Sequence, residues 1–173
     1  SFPNYESDSA APVKMYLAGE FGKDSNSLNA YQASVLYAVD RMCTYQKDLK
    51  SHYENGEIIL FDRYVPSNMI HQSTKIDNPK ELDEFLDWIS DFEYGKLELP
   101  KPDKILFTYQ SADKPSLDRI GAVINHPDFD GKTILNALGK PYIHYISKNI
   151  SARRASEIMV KFFEIYSADP VKE

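Results

Sequence analysis

Ile58-Ile59-Leu60-Phe61-Asp62-Arg63-Tyr64-Val65-Pro66-Ser67-Asn68 is an apolar run that stops at an Asp-Arg pair, and the turn signal Asn55-Gly56 precedes it. A short aliphatic run bounded in this way reads as a buried, parallel strand, and open α/β sheets take their ligands just past the carboxyl ends of such strands. Asp62 and Arg63 therefore stand where a ligand would lie. A carboxylate there can hold a metal-bound water or a sugar hydroxyl, and a planar guanidinium can grip a phosphate through two parallel hydrogen bonds. A strand-end salt bridge is the competing reading, because structural ion pairs also gather at the ends of elements.

Working outward, Ser67 to Lys75 reads as a helix with Ser67 as its N-cap, which puts Asn68, His71 and Gln72 in the first two turns beside the strand end. Upstream, residues 28 to 53 carry Tyr31, Val35, Ala38, Val39, Met42, Tyr45 and Leu49 at three- and four-residue steps, the period of a helix, until Asn55-Gly56 stops it. Tyr37 and Arg41 are four apart, so a ring and a guanidinium share one face and can address one object. A surface cation–π pair would look the same in sequence.

The remaining elements alternate. Residues 12 to 18 give a short helix ending at Gly19, and Pro79 opens an amphipathic helix to about Glu93 with Leu82, Phe85, Leu86 and Ile89 on its apolar face. Leu99-Pro100-Lys101-Pro102-Asp103 is a stiff lead-in to a strand at 105 to 109, a helix is expected over 116 to 122, a third strand over 142 to 146, and a last helix over 151 to 166. This order predicts one α/β domain spanning 1 to 173, with a mainly parallel sheet flanked by helices.

Composition narrows the function classes. Hydrophobic residues make up 42% and charged residues 27%, ordinary globular usage, and no apolar run approaches the roughly 20 residues of a membrane span. The expectation is a soluble, cytoplasmic protein with no membrane partner. A net charge of −6 argues against a general nucleic-acid binder, so any phosphate must be gripped locally. The single cysteine, Cys43, excludes an internal disulfide and reads as a packed thiol. His52, His71, His126 and His144 show no zinc-ligand spacing.

Four phrases, in order across the first 107 or so residues, resemble thymidylate kinases of the bacterial type. They are Phe2-Pro3-Asn4-Tyr5, Tyr37-Ala38-Val39-Asp40-Arg41, Asp62-Arg63-Tyr64 with Ser67-Asn68, and Leu99-Pro100-Lys101-Pro102-Asp103; His71-Gln72 fits as well. The resemblance implies a phosphotransferase on a five-stranded parallel sheet that moves the γ-phosphoryl group of ATP to dTMP with Mg²⁺, and it implies a homodimer paired through helices. It also implies roles. Tyr37 would stack on thymine and Arg41 bond the base, with Phe2 and Tyr5 on the sugar and phosphate side. Arg63 would clamp the acceptor phosphate, Asp62 would sit near the sugar hydroxyl or the metal's water, and Asn68 and Gln72 would meet the base edge or neighbouring polar groups. Phosphoryl transfer asks mainly for positioning and charge neutralisation, which such residues supply.

Two departures stand beside the likeness. The family opens with a strand, a Gly-rich phosphate loop ending in Lys-Ser/Thr and a helix, and none of this precedes Ser1. The expectation is an N-terminally incomplete domain whose inner strand is supplied from upstream; the alternatives are that Ala122-Val123-Ile124-Asn125 or another segment fills the slot, or that the sheet is rebuilt. Gly131-Lys132-Thr133 has the loop's last letters, but the pattern's first glycine would fall on His126, so it reads as a helix start after a turn. After Tyr109 the arginine-rich lid of the family is not recognisable, and no donor-side residue or metal ligand is assigned. A homologue that binds a nucleotide or a protein partner without transferring phosphate is the alternative function, and an unrelated α/β domain the third.

Overall fold

The computed structural model describes residues 1–108, 121–129, 133–136 and 143–146; for 106–108, 133–136 and 143–146 it describes the backbone alone. A 3₁₀ turn at Asp8–Ala10 runs into α1 (Ala11–Leu17), which stops at Gly19, φ 77°. The long helical stretch is α2 (Ala30–Thr44), a π turn at Tyr45–Leu49 and α3 (Lys50–Glu54). Asn29 and Gln32 cap α2 reciprocally, each side chain taking the other's backbone N–H, and Gly56, φ 78°, turns the chain into β1 (Ile59–Asp62). Then come α4 (Val65–Ser73), α5 (Pro79–Ser90), a π turn at Asp91–Lys96 and β2 (Lys104–Thr108). Strands β3 (Thr133–Asn136) and β4 (Ile143–Ile146) complete the described elements.

The strands form one sheet in the order β1-β4-β2-β3. Only β2 and β3 pair parallel; β4 runs antiparallel to both β1 and β2, with Ile59 opposite Ile146 and Lys104 opposite Tyr145. The expected mainly parallel sheet is thus corrected to a mixed one. The reason lies in the chain between Asn136 and Ile143, which is far shorter than the dozen or more residues that a parallel crossover needs, so the chain returns with reversed direction. The slot between β1 and β2 is filled by β4 rather than by Ala122 to Asn125, of which 122–124 are helical. Thr133 opens a strand, which replaces the helix start expected after Gly131-Lys132. Most of the segment expected as a helix at 116 to 122, and all of that at 151 to 166, lie outside the described residues.

The core joins Phe61 of β1 to Val65, Met69 and Ile70 of α4, Phe85, Leu86 and Ile89 of α5, and Phe2, Tyr64, Leu99, Ile105, Val123 and Phe129. The apolar stripe expected on the long helix is only partly right. Tyr31 is exposed and Val35 half-buried, whereas Ala30, Ala33, Ser34, Ala38, Asp40, Arg41 and Thr44 are buried. Two charges can occupy that inner stripe because each has a partner: Asp40 accepts from the Asn4 backbone N–H (2.8 Å) and the Ser9 hydroxyl (2.7 Å), and Arg41 pairs with Glu93. No helix among the described residues is long and apolar enough to cross a membrane.

Candidate functional site

A cleft of about 310 Å³ opens where β1 ends, within the range of small-molecule sites. The segment Phe2-Pro3, Tyr37 and Arg41 of α2, Arg63, and Ser67, Asn68, His71 and Gln72 of α4 line it, together with Tyr16, Leu17, Ser25 and Lys75 from the α1 side and the end of α4. Helix α4 begins one turn earlier than its sequence suggests. Tyr64 is extended at the N-cap and Pro66 sits in the first turn, so Ser67 is inside the helix instead of capping it. This rotates Ser67, Asn68 and Gln72 onto a buried face toward the cleft.

Arg63 makes the corner between strand and helix. Its φ is 64°, the left-handed region that a non-glycine residue enters at a cost, and strain of this kind gathers at functional positions. The guanidinium has no hydrogen-bond or ion-pair partner among the described residues. The other two cations of the lining are engaged. Lys75 Nζ donates to the Tyr16 hydroxyl (2.9 Å) and to the carbonyls of Ser25 (2.5 Å) and Leu28 (2.7 Å), tying down the loop after α1. Arg41 donates from Nε to Glu93 Oε2 (2.6 Å) and from Nη2 to Glu93 Oε1 (2.7 Å). Burial works against the Arg41 charge, but the Glu93 carboxylate outweighs it and holds the guanidinium above its ordinary pKa.

Asn68 Nδ2 donates to the same Glu93 Oε1 (3.0 Å) and to the Ser34 carbonyl (3.2 Å). Its carbonyl oxygen, Gln72 Oε1 and Ser67 Oγ are buried without a hydrogen-bond partner, although all three residues line the cleft. Orphaned buried acceptors are costly unless something else completes them, and a ligand on the cleft wall is one such completion. Tyr37 stands edge-on to Tyr16 with ring centroids 6.5 Å apart, and the Phe2 ring lies 6.0 Å from the Arg41 guanidinium carbon. Burial, then the neighbouring Tyr16 and Tyr5, raise the Tyr37 pKa, so its hydroxyl stays protonated. His71 is exposed on the cleft wall; desolvation of its ring by the surrounding protein, then Arg63, push it below its ordinary value, which leaves it largely neutral at pH 7.

Among the residues expected at a site, Phe2, Tyr37, Arg41, Arg63, Asn68 and Gln72 meet on this cleft. Tyr5 and Asp62 do not. Tyr5 is 50% exposed and lines a neighbouring hollow with Thr44, Leu49 and Ile59; Asp62 is exposed, and its backbone carbonyl accepts from the Phe2 N–H at 3.0 Å. Tyr16, Lys75 and Glu93 were not legible as site residues from local pattern. For Glu93 a signal existed: it falls four residues past Ile89, in line with the apolar stripe of α5 as the chain runs into the π turn, where a charge demands a buried partner. Among the described residues no group of three or more His, Cys, Asp or Glu side chains is placed to hold a metal ion.

Chemically, the cleft can take an anionic group at Arg63, which has no partner among the described residues, and a flat, uncharged, hydrogen-bonding group at the charge-balanced end formed by Arg41, Asn68 and Gln72. No family model matches the chain. Over 104 residues it is 28% identical to the thymidylate kinases of two Mycobacterium tuberculosis strains, CDC 1551 / Oshkosh and ATCC 25618 / H37Rv. The match takes in 60% of this chain and 47% of each relative, so the chain spans about half the length of the curated relatives it matches. The likeness is distant, and it is to nucleotide kinases.

Proposed function

We propose that the cleft binds a nucleoside monophosphate, dTMP by likeness to thymidylate kinases, as the acceptor for the γ-phosphoryl group of ATP. The observation that carries this reading is the two-ended cleft: at one end a guanidinium with no partner among the described residues, and at the other a neutralised Arg41–Glu93 pair beside orphaned amide oxygens. In this reading Arg63 grips the acceptor phosphate through paired N–H groups and lowers its repulsion toward an incoming phosphoryl group. Tyr37 packs on the base, Arg41 donates to a base carbonyl, and the carbonyl oxygens of Asn68 and Gln72 face the base edge, where one of them accepts from its single N–H, on N3. Phe2 closes the sugar side.

ATP and Mg²⁺ belong to the proposal through the likeness to thymidylate kinases. The metal would offset charge on the transferring phosphates. The described residues fit the acceptor and do not form a metal cage, so the part they take is to bind, orient and shield dTMP. The acceptor oxygen forms its bond to the γ-phosphorus as the bond to ADP breaks, giving dTDP and ADP. Incubating the chain with ATP, Mg²⁺ and dTMP and resolving the nucleotides by ion-exchange chromatography tests this: dTDP and ADP in equal amounts support it. Saturable dTMP binding with no dTDP moves the chain to a binding role without transfer.

A further inference from the structure

Glu93 lies behind the cleft, not on its wall. It is 0% exposed and sits in the π turn that follows α5, where its two carboxylate oxygens collect three N–H groups: Arg41 Nε, Arg41 Nη2 and Asn68 Nδ2. Both donors are cleft residues, one on α2 and one on α4. A single buried carboxylate therefore sets the angle of two ligand-facing side chains on different helices. It does so with the fixed geometry of a forked guanidinium–carboxylate pair.

The same carboxylate sets the charge. A buried guanidinium alone would make the inner end of the cleft an anion trap. With Glu93 bonded to it at 2.6 and 2.7 Å, the pair is neutral, and an anion placed there would meet the carboxylate directly behind the arginine. Asn68 is turned by its bond to Glu93 so that its amide hydrogens point inward to protein and its carbonyl oxygen is left without a partner.

We propose that Glu93 is a positioning residue which orients Arg41 and Asn68 for an uncharged, planar, hydrogen-bonding ring and keeps anions out of the inner end, leaving them to Arg63. This rests on the nucleotide reading given above and adds a residue to it. A role limited to holding the fold would show in stability alone. A positioning role shows in the affinity for the uncharged half of the ligand, and by the same factor with or without a phosphate attached.

The test is calorimetric titration of thymidine and of dTMP into the wild-type chain and into Glu93→Gln and Glu93→Asp, each first verified as folded by circular dichroism. Glu93→Gln removes the charge; Glu93→Asp keeps it but withdraws it by one methylene, and so stays informative where the amide variant fails to fold. The expected result is a loss of about tenfold or more for thymidine, the worth of a charge-assisted pair, and an equal loss for dTMP. Arg63→Ala, by contrast, should weaken dTMP and spare thymidine. A folded Glu93→Asp or Glu93→Gln with thymidine affinity within twofold of wild type overturns the positioning role while the nucleotide reading stands. Wild-type protein that binds neither ligand overturns both. Independently of any ligand, the Arg41 Nε–H resonance should exchange slowly with solvent in the wild type and rapidly in Glu93→Asp; exchange as fast as that of an exposed arginine in the wild type overturns the proposal.

Discussion

Arg41 and Glu93, 52 residues apart in sequence, meet as a two-pronged pair with side-chain exposures of 3% and 0%. Breaking such a pair strands a charge in the interior, whereas replacing both partners by apolar residues removes the problem together with the contact. Glu93→Ala is therefore expected to lower stability by about 3–5 kcal/mol, and the double substitution Arg41→Met/Glu93→Leu by much less. Urea denaturation of the two variants checks this; a smaller loss in Glu93→Ala than in the double variant would contradict it.

Arg63 separates stability from binding. Its φ of 64° costs of order 1 kcal/mol for a side chain with a Cβ, so Arg63→Gly should leave the fold as stable as the wild type or slightly more so. The same substitution removes the guanidinium proposed to hold the phosphate, and dTMP affinity should fall about 10- to 100-fold. Thermal unfolding and calorimetry on one preparation read both effects.

Much of this site was legible in the sequence, and the reasons are local. The apolar run ending in Asp62-Arg63 fixed a strand end, and the four-residue spacing of Tyr37 and Arg41 placed both on one face of a helix. What local pattern could not supply was partnership over long sequence distance. In sequence Arg41 is either a partner for a ligand shared with Tyr37 or half of a surface cation–π pair, and only the fold shows it held by Glu93. The sheet direction failed for a similar reason: a run such as Ile143 to Ile146 announces a strand, but its orientation depends on which slot it fills and how short its connection is. Ser67 looked like a cap because hydroxyl residues often are, yet the Pro66 ring, well suited to a first helical turn, moved the helix start to Val65.

Asp40 anchors the first residues of the chain to α2 through the Asn4 backbone N–H and the Ser9 hydroxyl. Asp40→Ala should cost about 2–3 kcal/mol, since two hydrogen bonds to a buried carboxylate are lost. It should also release Phe2 from its place over Arg41, so that the Asn4 amide loses protection in hydrogen exchange while amides of β1 keep theirs.

His71 makes stability depend on pH. Its pKa in the fold is lowered from 6.5 by partial desolvation of the ring and by Arg63, so below 6.5 the unfolded chain takes up the proton more readily than the folded one. The stability linked to His71 is complete above 6.5 and is lost as pH falls from there through the lower folded value. Subtracting the pH–stability curve of His71→Gln from that of the wild type isolates this component, which should be flat above 6.5 and decline below it.

In the proposed complex one cleft holds a nucleoside monophosphate with its phosphate on Arg63 and its base at Arg41 and Asn68. Calorimetric titration of thymidine and dTMP into the wild type and Arg63→Ala tests it most directly. The expected result is one site per chain, dTMP tighter than thymidine by at least about tenfold, and no difference between the two ligands once Arg63 is alanine. Equal affinities in the wild type, or no binding of either ligand by the folded chain, would contradict it.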